Sequence, residues 1–235
     1  MTYLWQEFNI KTFPAETIVF RDGVFMENLS DFQNAEYKSE NKNIYINIFN
    51  KSDLPIHIIY IGELIDEKNI NIDISVPNTN VFLTIKTKNN NPAFLNIFIK
   101  NTGKNSGFNG KILCQNYSDL KIYENAIHLA ENTNINISTK IIAHADSFSK
   151  VSGIAEISKN CPNCNSDMKF SAMAAKSVKL EFMPAQMIST IPNTAEHSAS
   201  IYRGSAPQIE YLHEAGLSKS EVEIALREAF INDFD

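Results

Sequence analysis

The sequence predicts a mainly β protein that ends in a pair of helices, and three observations carry that prediction. Over residues 44–201 the chain is a succession of short segments in which isoleucine, valine or phenylalanine alternates with polar residues, the period of two expected of strands. Clusters of asparagine, aspartate, serine and glycine separate the segments and bring turn chemistry with them. No helical pattern lies between the segments, which excludes a doubly wound α/β sheet, whose parallel strands need helical crossovers of roughly ten residues or more.

Taken in order, examples of these segments are 44–49, 56–61, 70–76, 81–87, 94–100, 134–140 and 178–183, each β-branched or aromatic on one face. Sandwich, barrel and β-helix all satisfy this pattern. Asparagines crowd the segment ends, where side-chain amides can bond from one coil of a solenoid to the next, although a compositional bias would give the same crowding. After Ser205 the period changes. Ser205 is a candidate N-cap with Pro207 in the first turn of a helix through His213, and Gly216 supplies a stop. Ser218 then opens a second helix, with Glu221 at capping-box spacing and Val222, Leu226, Ala229 and Phe230 on one face.

With 235 residues, 43% of them hydrophobic, the chain suits one domain with one substantial core. A net charge of −6 and a pI near 5.4 leave no basic field for phosphates, so nucleic acid is not an expected partner. No apolar run reaches the roughly 18 residues that span a bilayer, and residues 1–8 lack a basic stretch followed by an apolar one. A soluble, cytoplasmic protein with no membrane partner is expected. Three cysteines, two of them three positions apart, suit reduced thiols or metal ligands better than a disulfide framework.

The C-terminal third carries a family resemblance. Pro184, the run Glu196-His197-Ser198-Ala199, then Tyr211-Leu212, Gly216-Leu217, Glu221 and Phe230 resemble the ending of SufB and SufD iron–sulfur cluster assembly proteins. Near the N-terminus, the run from Val19 to Phe25 with Leu29-Ser30 looks like the hairpin that precedes the β-helix in SufD-type members. The resemblance implies a right-handed parallel β-helix over residues 44–204, preceded by an N-terminal segment with a hairpin over 1–43 and followed by a helical segment over 205–235. It implies a short SufD-like member: a non-catalytic scaffold or partner subunit that docks a SufC-like ABC ATPase and forms a homodimer or pairs with a SufB-like chain. Lys169 stands where SufB-type chains have a cysteine, and Ser198 where they have a glutamate. Those departures favour the alternative of a shortened interaction paralogue that binds partners but no cluster.

Several residues could carry chemistry. In Cys161-Pro162-Asn163-Cys164 two thiolates can face one metal or cluster across a tight turn, with further ligands sought from Cys114, His144, His197, Asp167 or a second subunit. A redox dithiol and an incidental loop pair are the competing readings. His197 has Ala195 and Ala199 beside it on its own strand face and Glu196 on the other. His144 has Asp146 close by as a candidate carboxylate partner, and Cys114 reads as a small hydrophobe in a strand. His57, His128 and His213 have no companion residues. No phosphate-binding loop occurs, so no nucleotide is expected on this chain, and the resemblance assigns ATP hydrolysis to the SufC-like partner. The docking surface it implies is the helical segment, through Tyr211, Leu212, Val222, Leu226 and Phe230, with the stripe of the second helix free for the partner rather than packed on the body.

Overall fold

The computed structural model describes residues 16–26, 34–40, 42–50, 54–175 and 177–232. In chain order its strands are β1 (Glu16–Arg21), β2 (Val24–Phe25), β3 (Ala35–Glu40), β4 (Asn43–Ile48), β5 (Ile56–Glu63), β6 (Glu67–Ile74), β7 (Asn80–Asn89) and β8 (Ala93–Asn101). There follow β9 (Gly107–Asn116), β10 (Asp119–His128), β11 (Asn134–Ala143), β12 (Phe148–Ile157), β13 (Asn165–Ala174), β14 (Lys179–Ile188) and β15 (Thr194–Tyr202). The helices α1 (Ala206–Glu214) and α2 (Lys219–Asn232) close the chain.

Successive strands alternate between two sheets. One sheet has the order β15-β13-β11-β9-β7-β5-β1-β2 and the other β14-β12-β10-β8-β6-β4-β3. Every pairing from β4 to β15 is parallel and in register, which makes a two-sided β-solenoid and settles the choice among the three architectures. The period-two pattern explains it. Alternate residues of both sheets point into one core, so inward residues stack coil on coil in columns, as with Ile44, Ile70 and Ile97.

The asparagines are structural. Asn105 donates its amide to Asn78 at 3.2 Å and Asn163 to Asn132 at 3.1 Å, 27 and 31 residues away along the chain. All four stand in left-handed backbone at the corners, a conformation asparagine tolerates better than most residues. Further ladders join Asn43, Asn69 and Asn96 on one sheet and Asn134 with Asn165 on the other.

The two ends differ. At the first coil, β1 turns into β2 through Asp22-Gly23, both at positive φ, and β3 pairs antiparallel with β4. Phe25 stacks on Tyr37 at 3.9 Å, with Phe20 edge-on to both, and plugs that end of the core. The run from Val19 to Phe25 noted near the N-terminus is therefore part of the solenoid, since β1 also pairs parallel with β5, while Leu29-Ser30 lie outside the described residues. At the last coil β14 and β15 are long edge strands with no neighbour beyond them among the described residues.

Both helix caps form as the sequence indicates, with Ser205 and Gln208 in one capping box and Ser218 and Glu221 in the other. The stripe of α2 requires a correction. Val222 and Leu226 are buried, Phe230 and Ile231 pack on Leu113 and Ile142 of the first sheet, and Phe230 stacks near Tyr202. The Lys140 ammonium donates to the Phe230 carbonyl at 2.8 Å, favoured because helix C-termini carry partial negative charge. An apolar stripe takes the nearest apolar surface, and the outward-facing Leu113 and Ile142 provide one within the chain. Ala229 remains exposed.

Candidate functional site at the last coils

The CxxC pair occupies the corner between β12 and β13, residues 158–164, two residues longer than the corresponding corners 129–133 and 189–193. Cys164 precedes β13 just as Thr79, Ser106 and Thr133 precede the register-matched starts of β7, β9 and β11. The hydroxyls of Ser106 and Thr133 donate to the carbonyl three residues back. Cys164 departs from that pattern: its thiol reaches back one coil, donating to Ala130 O, the carbonyl that Thr133 also uses, at 3.3 Å and lying 3.2 Å from Thr133 Oγ1. Thr133 is bonded in turn to His128 Nδ1 at 2.7 Å. A buried chain thus runs His128–Thr133–Cys164, which sequence alone did not reveal because its members lie in successive corners. Cys161 packs with Ile157 and Cys164 and is buried, and burial followed by the neighbouring Cys164 pushes its thiol pKa up.

The other candidate ligands lie elsewhere. Cys114 is enclosed in the core between Thr87 and Ile141, where burial pushes its thiol far up. His144 stacks on Tyr117 at 3.8 Å, and burial together with Arg227 of α2 lowers its pKa to about 4. Asp146 is exposed in a left-handed turn with its N–H given to Ser177. His197 pairs with Met168 on the inner line of the terminal strand β15, exposed at the open end, with Ala195 and Ala199 beside it on that face. Among the described residues no three His, Cys, Asp or Glu side chains converge as a metal-ion site.

Lys169 and Ser198 are register partners on β13 and β15. They form one place on the outer face of the first sheet, and Lys169 is held there by Asp167 at 2.5 Å. Of the candidate docking residues, Tyr211 is 70% exposed and Leu212 half-buried on α1, whereas Val222, Leu226 and Phe230 face the body. Ile224, which the sequence pattern had not singled out, is 50% exposed on the outer side of α2. Among the described residues no helix is long and apolar enough to cross a membrane.

No curated protein matches the chain. The family model for the SUF system FeS cluster assembly, SufBD core domain, matches residues 73–230, which run from the end of β6 through the last strands into α2. The stacked parallel coils, the open last coil with His197 and the helical pair all fall in or against that span, and the chain belongs to the SufBD family of SUF-system iron–sulfur cluster assembly proteins.

Proposed function

We propose that this chain is a non-catalytic partner subunit in SUF-type assembly, joining a second subunit through its open last coil and presenting its helical pair to a SufC-like ATPase. The asymmetry of the solenoid carries this reading. Its first coil is plugged by Phe20, Phe25 and Tyr37 and edged by the two-residue β2 and the charged β3, devices that block further pairing. Among the described residues no aromatic plug and no further strand covers the last coil. Strands β14 and β15 keep ten and nine residues of edge, with Met183, Met187, Ile188 and Ile201 exposed. One sticky end on an otherwise closed stack favours a closed pair, either a homodimer or a heterodimer with a SufB-like chain, over a fibre.

The cluster in this reading is cargo. Cys161 and Cys164 are buried thiols, and Cys164 is committed to a structural corner, so this chain by itself offers a poor donor set. In this reading His197, which is exposed at the open end, reaches cargo held with the second subunit. The register pairing of Lys169 with Ser198 favours the reading of a shortened interaction paralogue, because both departures fall in one place.

For the ATPase, the burial of Val222 and Leu226 moves docking to the other side of the helices, where Tyr211 and Ile224 are exposed. Co-expression with a SufC-like ATPase tests this. Tyr211→Ala with Ile224→Ala should weaken co-purification at least tenfold while leaving the melting temperature unchanged. Undiminished capture by the double variant would sink this docking face, and no capture by the wild type would sink the ATPase reading itself.

A further inference from the structure

The inner column Ile44, Ile70, Ile97 continues in the next coil with Glu124, followed by Gly153. Glu124 is fully buried, accepts one hydrogen bond from the Thr139 hydroxyl across the core, and its Oε2 is enclosed with no partner among the described residues. Beyond it Gly153 leaves room that Met168 and Phe170 fill. On the inner faces of β8, β9, β10, β11, β12 and β13 the other titratable side chains are Cys114 and His128, both uncharged in their burial at neutral pH. No cation faces the carboxyl from these strands.

We infer that Glu124 is a proton-keyed seam: with its carboxyl protonated the later coils stay stacked on the earlier ones, and its ionisation loosens them. A solenoid makes this local, since each coil contacts only its neighbours and opening can spread from a fault to the nearer free end. The plugged first coil holds one side, while on the other β14 and β15 have no further strand of this chain beside them among the described residues. The loosened part therefore includes the edge strands and His197.

Burial raises the Glu124 pKa from 4.5 to about 7, against the lowering by Thr139. In the opened form water returns and the ordinary value is restored. Below the ordinary value both forms hold the proton and nothing is gained by opening. As pH rises towards 7 the opened form ionises first, so opening becomes easier; above 7 both forms are ionised and the effect levels off.

Hydrogen exchange read by mass spectrometry on the full chain, corrected for intrinsic rates, tests the seam. The ratio of opening constants, wild type over Glu124→Gln, should rise on the order of 50-fold between about pH 5 and pH 8 in peptides from β12 to β15, and stay flat in β4 to β7. Histidine titrations cancel in that ratio. Thr139→Val, which removes the opposing hydrogen bond, should move the wild-type transition to higher pH and serves if the glutamine variant does not fold. A ratio independent of pH, or one that rises equally in all coils, overturns the inference.

Discussion

At the scale of the residue, many of the buried polar side chains stand at or beside the corners, and His128 shows how much one of them matters. It stands one coil after Asn101, whose Oδ1 accepts from Ser106 and from the Gly103 N–H, and it makes the equivalent bond to Thr133. Burial lowers its pKa from 6.5 to about 4. The unfolded chain therefore takes up a proton that the folded chain refuses as pH falls from 6.5 towards 4, so stability is lost through that window and is complete above it. The loss should be on the order of 2 kcal/mol. Urea unfolding at about pH 7 and pH 4.5 should show it in the wild type, with the loss reduced by that amount in His128→Asn, which copies the preceding coil. An unchanged pH dependence in the variant would mean that another group governs acid stability. Little of this was legible beforehand. The alternation Leu120, Ile122, Glu124, Ala126, His128 already puts both titratable residues on an inward face, but only the register shows what each meets.

At the scale of the element, α2 is held as part of the body. Its caps and its stripe follow from the sequence, because capping boxes and helical spacing are local properties. Which surface takes the stripe is not local: Leu113 and Ile142 face outward on β9 and β11, and nothing in their own strands says that a helix will cover them. Leu226→Glu should accordingly strip exchange protection from α2 and cost about 2–4 kcal/mol of its docking, with the solenoid strands retained in circular dichroism. Gly204 sits against Leu226 and Ile209, so the defect should reach α1 as well. Full protection of α2 in the variant would return the stripe to the role of a partner surface.

At the scale of the whole molecule, a one-dimensional stack with one closed end should behave as a dimer. Met183 and Met187 project outward from the terminal strand β14, 54% and 57% exposed, beside a row of unpaired backbone groups. Light scattering at tens of micromolar should give twice the chain mass, and Met183→Lys with Met187→Lys should give the chain mass with the strand signal intact. A monodisperse wild-type monomer would contradict the proposed pairing. The sequence by itself determined the strand period, the asparagine-rich corners and the capped helical pair, because side-chain alternation, left-handed turns and caps depend on neighbours a few residues away. Its resemblance to SufB and SufD also named the architecture. Only the tertiary structure decided that Cys164 serves a corner, that Lys169 meets Ser198, that α2 lies on the first sheet and that Glu124 interrupts a column of isoleucines. Each of those joins residues about one coil or more apart, and the coil lengths that bring them together are set by corner insertions with no periodic signature.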